Sequence, residues 1–564
     1  MVNKVVLPGI SLILVVGVAL AVVAVVNKNN NSTTENLSPK MKAVSTICSN
    51  TNYQEECQNT LTNVAHNASS DDPKEYVKAA ILATMEEVKK GYNLTDGFMI
   101  EAANNASIKM GVEDCKDLLQ FAIAQLQASY TTVGEPDLHT NADRVADIKN
   151  WLTAVISYQQ SCLDGLGEFD PNLQQKMQDG LDIAAKLTSN ALAIVDTVSD
   201  ILQNFGLQFK VQPSGRKLLG TIEVGSDGFP TWMSGADRKL LASRGGGRVK
   251  PNAVVAKDGS GQFKTIGAAL AAYPKALKGR YVIYVKAGIY NEYVTVTKDM
   301  TNIFMYGDGP KRTIVTGRRS NRAGYTTQDT ATFIAIGAGF LCKSMGFQNT
   351  AGPEGHQAVA LRVQSDKSAF FNCRMDGYQD TLYVQTERQF YRNCVISGTV
   401  DFIFGDSTTI IQNSLIIVRR PMDNQQNTVT ANGRADPKEV SGLVIHNCRI
   451  VPEQKLFAER FKIPTYLGRP WKQYARTVIM ETTLGDFIKP DGYMPWSGNF
   501  ALETCLYLEY GNRGPGANTN RRVRWKGVKV IPRTEALKFT AGSFLQGGSW
   551  LPGTGGPYLL GLKG

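Results

Sequence analysis

The chain has 564 residues, of which 43% are hydrophobic and 20% are charged, and this length exceeds that of one ordinary domain. Residues 1–244 hold 20 Lys+Arg and 27 Asp+Glu, a net charge of −7, whereas residues 245–564 hold 41 and 23, a net charge of +18. The composition therefore excludes one uniform domain. It predicts two parts of opposite charge that attract each other, with a polyanionic partner for the basic part.

A long apolar run near the start predicts entry into the secretory pathway. Residues 5–26 form a nearly unbroken apolar stretch of 22 residues, flanked only by Lys4 and Lys28. The stretch is long enough for a membrane span of about 20 residues, and it also fits a long secretory signal. We therefore assign residues 1–40 to a signal peptide or signal anchor with a polar spacer. The secretory route argues against nucleic acid as the polyanion.

Cysteines and sequons of the first half fit the same compartment. Cys48, Cys57, Cys115 and Cys162 allow three pairings in an oxidising environment, of which Cys48–Cys57 with Cys115–Cys162 is the simplest. The five cysteines of the second half cannot all pair, and the absence of a CxxC motif gives no support to a zinc or redox site. The candidate glycosylation acceptors all lie in the first half, at Asn30, Asn31, Asn36, Asn67, Asn93 and Asn105.

Residues 41–207 are predicted to be helical and residues 208–250 to be an exposed linker. Residues 76–90 and 176–207 space their apolar side chains three and four apart without proline, which is typical of a helical bundle. The linker contains Pro213, Pro230 and a run of three glycines. Two similar basic-apolar tetrapeptides in it arise by chance or mark proteolytic processing sites. Their duplication in an exposed junction favours processing at Arg216-Lys217 and Arg238-Lys239.

Residues 251–564 are predicted to form short parallel strands stacked into an all-β solenoid. The runs are almost continuously apolar, and the spacers between them are too short for the helices of a doubly wound fold. Asn-Cys or Asn-Ser recurs at positions 372, 393 and 413, at intervals of 21 and 20 residues that suit one coil. These asparagines are expected to form turns that hydrogen-bond between coils. The predicted strands are 281–286, 302–306, 358–363, 368–373, 381–384, 409–418 and 442–450.

Two aspartates lie one such repeat apart. Asp380, in a Gly-Tyr-Gln-Asp-Thr segment, and Asp401, in a Gly-Thr-Val-Asp-Phe segment, are separated by 21 residues. Residues one coil apart stack in adjacent strands about 4.8 Å apart, so the two carboxylates would nearly touch. Like charges that close cannot both ionise easily, and one aspartate is therefore expected to keep its proton. The spacing predicts an acid beside a nucleophile or base.

Four further side chains are predicted to converge on this pair. Gln357 and Gln379 fall on neighbouring coils, where carboxamide N–H groups would stabilise an oxyanion, although each alone fits an ordinary solvated strand residue. Arg469 and Trp471 point the same way in an extended segment. The arginine is expected to bind a carboxylate and the tryptophan a sugar ring, with a structural ion pair and core packing as the alternatives.

The motifs resemble those of a known family, the plant pectin methylesterases. The resemblance covers residues 250–555 and rests on segments 288–292, 377–381, 398–405, 467–471 and 514–517. The first half resembles the pectin methylesterase inhibitor domain, a four-helix bundle with two disulfides, and the dibasic sites resemble that family's processing sites. The resemblance implies a right-handed parallel β-helix behind an inhibitor-like pro-domain, with pectinesterase activity in the extracellular cell wall.

The resemblance also implies roles for individual residues. Asp401 matches the nucleophile and Asp380 the proton donor, while Gln379 and Gln357 match the positions that stabilise the oxyanion and contact substrate. The substrate-binding matches are Thr327, Arg469 and Trp471.

Four positions depart from the family pattern. Ser414 stands where the family usually has a cysteine paired with the equivalent of Cys394, so that disulfide is expected to be absent, at a cost of a few kcal/mol. Gln328, Asp329 and Asp406 also differ from the commonest residues, which concerns substrate preference more than catalysis.

The expected activity is hydrolysis of galacturonan methyl esters in pectin, without a metal or cofactor, autoinhibited by the pro-domain until a processing protease removes it. A pectate lyase or polygalacturonase is the enzymatic alternative, but a lyase calls for an acidic calcium-binding cluster, and the aspartate pair is the only acidic pairing of that kind we find. A Ser-His-Asp triad is not expected, because neither His356 nor His446 has a nucleophile elbow nearby. The other alternative is an inhibitor or a pectin-binding wall protein.

Overall fold

A computed structural model describes residues 39–67, 73–135, 142–204 and 250–563. The chain divides into two compact units, the first being Met1–Phe98, Lys116–Gln159 and Leu173–Ser214. The second unit comprises Met99–Cys115, Gln160–Asn172 and Gly215–Gly564. The apolar run 5–26, the sequons at Asn30, Asn31 and Asn36, and the dibasic sites Arg216-Lys217 and Arg238-Lys239 lie outside the described residues.

The helical prediction for the first half is confirmed, with longer helices than the periodic segments indicated. The segment predicted at 76–90 belongs to a helix of 29 residues, and that at 176–207 to one of 34 residues. Asn93 and Asn105 are exposed, and Asn67 ends the second helix. The helices are α1 Pro39–Cys48, α2 Gln54–Asn67, α3 Pro73–Glu101, α4 Ala106–Val133, α5 Ala142–Gly167 and α6 Pro171–Asn204.

The first unit packs these helices through close side-chain contacts. A Cβ placed on Gly91 of α3 would lie 2.4 Å from Leu181 of α6, so glycine permits the close approach of those helices. Gln159 of α5 donates to Thr188 of α6 at 3.0 Å. Both expected disulfides are present, Cys48–Cys57 in the first unit and Cys115–Cys162 in the second.

The strands of the second unit form three parallel sheets that wind as a parallel β-helix. In the described residues the first sheet has 11 strands, the second seven and the third eight. The strands of the first sheet are β1 Ala253–Val255, β2 Tyr281–Val285, β5 Ile303–Gly307, β8 Leu341–Lys343, β11 Ser368–Phe371, β14 Arg388–Arg392, β17 Thr408–Gln412, β20 Gly442–His446, β23 Arg476–Met480, β25 Leu506–Tyr510 and β26 Val528–Val530. Those of the second sheet are β4 Val294–Val296, β7 Phe333–Ala335, β10 Leu361–Val363, β13 Leu382–Val384, β16 Ile403–Gly405, β19 Asn427–Asn432 and β22 Thr465–Pro470. Those of the third sheet are β3 Gly288–Asn291, β6 Thr313–Gly317, β9 Gly346–Asn349, β12 Arg374–Asp376, β15 Val395–Gly398, β18 Leu415–Val418, β21 Arg449–Pro452 and β24 Thr483–Leu484.

The predicted coil length matches the register of the strands. Leu361 pairs with Leu382 and Leu382 with Ile403, one coil of 21 residues each time. The next coil is longer, because Ile403 pairs with Thr430. Residues at equal positions in the two regular coils are therefore stacked directly.

Two long predicted strands are each broken by an asparagine. The runs 409–418 and 442–450 were expected to be continuous, but Asn413 and Asn447 lie between strands with φ of 51° and 52°. That left-handed conformation turns the chain from the first sheet into the third, and asparagine tolerates it better than most residues. The Asn447 side chain donates to Asn413 Oδ1 at 2.8 Å, as the turn prediction required.

Apolar side chains fill the interior of the β-helix and cover one of its faces. Phe370 and Tyr391 stack inside with ring centroids 4.8 Å apart. The outer face of the first sheet packs against α9 Arg533–Ala536, α10 Ala541–Phe544 and α11 Gly547–Thr554. Two other short helices are α7 Ile266–Ala271 and α8 Gln454–Phe457. Within the described ranges, none of the helices is long and apolar enough to span a membrane.

Candidate active site

Two equivalent turns connect the third sheet to the second sheet on successive coils. Asp380 lies between β12 and β13, and Asp401 lies between β15 and β16. Both aspartates have positive φ, 61° and 50°. Such strained positions occur at functional sites, where the surrounding structure holds them in place.

A glycine begins each turn because its neighbours leave no room for a side chain. A Cβ on Gly377 would lie 2.7 Å from Thr381 Oγ1, and one on Gly398 would lie 2.3 Å from Phe402 Cβ. The Gly-x-x-Asp spacing therefore follows from packing of the turn on itself. The Asp380 backbone N–H donates to Val400 O at 3.1 Å, which joins one turn to the other.

Three donor atoms bind the carboxyl group of Asp401. Arg469 binds it bidentately, with Nε 2.8 Å from Oδ1 and Nη2 2.6 Å from Oδ2. Thr428 Oγ1 donates to Oδ1 at 2.6 Å. Paired, charge-assisted hydrogen bonds of this kind fix the orientation of a carboxylate.

Asp380 is in the opposite electrostatic situation. Burial raises the pKa of Asp380 well above its usual range, and the negative charges of Asp401 and Glu168 raise it further, against a smaller lowering by Arg469. Burial and these neighbours therefore favour the protonated form of Asp380, beside an Asp401 that is ion-paired with Arg469. A carboxylic acid beside a fixed carboxylate has the arrangement needed for proton donation next to nucleophilic attack.

The two glutamines lie beside the aspartates on neighbouring coils. Gln379 directly precedes Asp380, and Gln357 precedes Ala358, whose N–H donates to Gln379 O at 3.3 Å. Both side chains are half-buried. The structure thus brings the backbones of the two glutamines together beside the Asp380 turn.

A cluster of aromatic rings, partly buried in the core, follows the aspartates, and sequence reasoning found only part of it. Tyr383 and Phe404 stack with centroids 4.3 Å apart, and Phe404 meets Trp471 edge to face at 5.8 Å. Trp496 lies 4.3 Å from the Arg469 guanidinium. Tyr383 and Phe404 each follow an aspartate by three residues, so the same 21-residue repeat could have revealed them. Trp496 has no comparable signal, because it comes from a distant loop.

Thr327 contacts a carboxylate from the helical part of the second unit. Its backbone N–H donates to Glu168 at 2.9 and 3.1 Å, and the Asn321 side chain donates to the same group at 2.7 Å. The preceding Thr326 donates to Asp114 at 2.6 Å. Lys472, next to Trp471, donates to Asp164. Sequence reasoning missed all three acids, since nothing local in the helices distinguishes them.

The departures from the family pattern occupy defined positions. Ser414 Oγ accepts from the Cys394 backbone N–H at 3.0 Å, and Cys394 is a free, buried thiol. Asp406 accepts from Ser441 at 2.5 Å, and burial raises its pKa to about 6. Gln328 is buried, and Asp329 adds to the local negative charge that acts on Asp114. Among the residues that the structure describes, no group of three or more His, Cys, Asp or Glu side chains is arranged to hold a metal ion.

Comparisons with known proteins identify the β-helix that carries these two aspartates as a carboxylic ester hydrolase. The Pectinesterase family model matches residues 252–548, and the plant invertase/pectin methylesterase inhibitor model matches residues 42–194. The chain belongs to the pectinesterase family and carries an inhibitor-like domain ahead of its catalytic domain.

Individual relatives support the same assignment over the whole chain. Pectinesterase 4 of Arabidopsis thaliana is 44% identical over 601 residues, covering 100% of both chains. Putative pectinesterase/pectinesterase inhibitor 28 of the same plant is 42% identical over 99% of this chain and 75% of its own length. The solved structure of pectin methylesterase from carrot is 52% identical, covers 56% of this chain and 100% of its own, and has a TM-score of 0.56.

Proposed function

We propose that this enzyme hydrolyses the methyl esters of galacturonan in pectin, releasing methanol and leaving free carboxylates. The observation that carries the proposal is the aspartate pair. Asp401 is bound by Arg469 and Thr428, and burial and the charge of Asp401 favour the protonated form of Asp380. Trp471 and Trp496, which are only partly buried and lie beside Phe404 and Arg469, suit the apolar faces of sugar rings. The net charge of +18 over residues 245–564 suits a polyanionic polymer.

In the first step, Asp401 attacks the ester carbonyl carbon. The carbonyl oxygen becomes an oxyanion, which accepts hydrogen bonds from the carboxamides of Gln357 and Gln379. As the carbon–methoxy bond breaks, Asp380 gives its proton to the departing oxygen and methanol leaves. The product is an acyl-enzyme, an anhydride between Asp401 and the uronate carboxyl group.

In the second step, water resolves the acyl-enzyme. Asp380, now a carboxylate, accepts a proton from water as the water oxygen attacks the uronate carbonyl carbon. The bond to Asp401 breaks and its carboxylate returns to Arg469, while Asp380 is again protonated. Both carboxyl groups therefore return to their starting states, and the reaction requires no metal or cofactor.

Substitution of the two aspartates tests the assignment. In Asp401→Ala the nucleophile is lost, and in Asp380→Asn the acid is lost while its shape is kept. We expect methanol release from methyl-esterified pectin to fall about 10²–10⁴-fold in Asp380→Asn and at least as far in Asp401→Ala. Near-wild-type release by either variant would contradict the role of the aspartate that was replaced. Unsaturated or shortened uronides as products would instead indicate a lyase or a polygalacturonase.

We further propose that the helical segments of the precursor inhibit the enzyme until they are cleaved away. The support is local: Glu168 accepts from Thr327 in the expected substrate-binding segment, and Asp164 pairs with Lys472 beside Trp471. Asp380 also feels the charge of Glu168. Carboxylates from the chain itself therefore occupy groups that would otherwise face a polyuronide.

Cleavage provides the test of this inhibition. A protease cutting after Arg216-Lys217 or Arg238-Lys239, in the expected linker, would separate the two parts in the secretory pathway on the way to the cell wall. We expect methanol release to increase at least about tenfold when the purified precursor is cut and the two parts are diluted, because each 1.4 kcal/mol of lost contact is a factor of ten. Equal rates before and after cleavage would reject the proposal.

A further inference from the structure

One arginine outside the aspartate turns is bonded to both of them. Arg419 directly follows β18, and its backbone N–H donates to Gly398 O at 2.7 Å, at the start of the Asp401 turn. Its Nη1 donates to Gly377 O at 2.7 Å, at the start of the Asp380 turn. A single residue thus connects the first peptide groups of two turns on successive coils.

The guanidinium also holds the side chain between these turns. Arg419 Nη2 donates to the Tyr378 hydroxyl at 2.9 Å, and its central carbon lies 3.9 Å from the centre of the Tyr378 ring. Tyr378 O in turn accepts from the Thr399 N–H at 2.9 Å. The planar guanidinium therefore fixes both the ring and the backbone immediately before Gln379 and Asp380.

The next coil fixes the direction of the guanidinium. Glu453 Oε2 lies 3.4 Å from Arg419 Nε, and the Glu453 backbone N–H donates to Val418 O at 2.8 Å. The other oxygen, Oε1, accepts from the Arg420 N–H at 2.9 Å. Glu453 therefore binds the Nε side of the Arg419 guanidinium, while its Nη1 and Nη2 donate to Gly377 and Tyr378 in the Asp380 turn.

We propose that Arg419 is a positioning residue for ester hydrolysis, which fixes the separation of the Asp380 and Asp401 turns; this rests on the roles proposed above for the two aspartates. Both aspartates have left-handed backbones, which persist only when surrounding groups hold them. A displacement of a reacting group by about 1 Å can cost about 10²-fold in rate. Within the described part of the chain, the hydrogen bonds of Arg419 reach the turns and neither aspartate carboxyl group, so it acts through the turns.

A neighbouring arginine provides a matched control. An open groove of about 440 Å³ on the third sheet is lined by Arg374, Asp376, Ser397, Arg419 and Glu453, among others. Arg374 is ion-paired with Asp376 in that groove, and none of its hydrogen bonds in the described residues reaches either turn. Arg374→Ala therefore removes an arginine from the same surface while leaving the turns in place.

The experiment compares kcat and KM for methanol release in full-length chains carrying Arg419→Ala, Arg419→Lys or Arg374→Ala, each cleaved at the linker. We expect kcat of Arg419→Ala to fall about 10–100-fold, with KM within about threefold of wild type. Arg419→Lys keeps the positive charge but loses the planar guanidinium with its several donors. Its kcat is therefore expected to lie between those of wild type and Arg419→Ala. Arg374→Ala is expected to retain kcat within about twofold.

Two readouts separate positioning from a general loss of structure. If the turns move apart, Asp401 raises the pKa of Asp380 less, so the pH at which kcat declines on the alkaline side moves downward. Arg469 is the other charge that faces Asp380 once cleavage has removed Glu168 with the helical segments. Because the groove beside Arg419 is open, added guanidinium ion is expected to restore part of the kcat of Arg419→Ala. It is not expected to restore Asp401→Ala.

Wild-type kcat with an unchanged pH profile in Arg419→Ala would overturn the proposal, as would a loss equal to that of Arg374→Ala. Should Arg419→Ala fail to fold, as judged by thermal unfolding, Arg419→Lys and Glu453→Gln decide, and full kcat in both overturns it. Asp401→Ala in the same assay keeps the two questions apart. An active Asp401→Ala refutes the proposed mechanism itself, whereas an inactive Asp401→Ala beside a fully active Arg419→Ala refutes only the positioning role.

Discussion

If the helical segments inhibit the enzyme as proposed, Glu168 is the residue through which pH acts on their contact. Burial raises the pKa of Glu168 to about 7, and Asp164 contributes, while the hydrogen bonds from Thr327 and Asn321 lower it. An exposed glutamate has a pKa of about 4.3. Because the bound value is the higher one, the contact is favoured below the exposed value and is lost as pH rises through about 7. Inhibition by the helical segments should therefore be strongest in acid.

The corresponding prediction concerns the ratio of uncleaved to cleaved activity. In wild type we expect this ratio to rise several-fold between pH 5 and 7.5. In Glu168→Gln, which stays neutral, the rise should move toward pH 8. There Asp114 titrates, because burial and the charge of Asp329 raise its pKa to about 8.

The ratio is measured by methanol release across the pH range. Glu113→Gln, an exposed acid next to Asp114, is the control and should follow wild type. Superimposable ratio curves for wild type and Glu168→Gln would disprove the role of Glu168.

At the scale of single residues, the sequence pointed to site residues that recur with the coil repeat and missed those that do not. Asp380 and Asp401 were found because one coil separates them. Arg419 was missed because its partners, Gly377 and Gly398, are bonded through backbone atoms that leave no pattern of side chains. Glu168 was missed for a related reason, since its partner lies 159 residues away in sequence.

At the scale of elements, the coil repeat explains the fold and also locates a missing cross-link. Val395 pairs with Leu415, so Cys394 and Ser414 are neighbours on successive coils, joined by a 3.0 Å hydrogen bond. Adjacent parallel strands are about 4.8 Å apart, within the range of Cα separations that disulfides span. Positions 394 and 414 are therefore close enough for a disulfide, which cannot form because residue 414 is a serine.

Replacement of this serine is expected to form the cross-link. Under oxidising conditions Ser414→Cys should join Cys394 to the introduced cysteine and raise the free energy of unfolding by about 1–3 kcal/mol, because a short loop is closed in the unfolded chain. Denaturant unfolding with and without reductant measures the gain. Ser414→Ala, which leaves the Cys394 N–H without its acceptor, should instead lose about 1 kcal/mol. A midpoint of Ser414→Cys that is insensitive to reductant would show that no bond forms.

The sequence located most strands but not where they end. The runs at 409–418 and 442–450 contain enough apolar residues for one long strand each. What breaks them is the left-handed backbone of Asn413 and Asn447, a property of one residue in each run that hydrophobic periodicity does not report. A rule that treats each asparagine of the repeat as a boundary would have divided both runs correctly.

At the scale of the whole molecule, the opposite net charges of the two halves predicted that they attract each other, but not which residues make the contacts. The net charge of −7 over residues 1–244 and of +18 over residues 245–564 favours contacts between acidic groups of the first half and basic or donor groups of the second. Within the second unit those meetings are specific: Asp164 with Lys472, and Glu168 with Thr327 and Asn321. Net charge sets the tendency of the two halves to associate. The folded arrangement of the strands decides which individual groups form the contacts.

The five free cysteines of the β-helix are all buried, so their oxidation state would show whether the β-helix has ever unfolded. Cys342, Cys373, Cys394, Cys448 and Cys505 lie inside the wall of coils. An oxidising surrounding that forms the two disulfides of the helical part cannot reach them while the coils stay stacked. Separation of the coils would expose several thiols to oxidation and to mispairing with one another. Damage to one region would thus become chemically permanent, and a chain that has once opened would be distinguishable from one that never has.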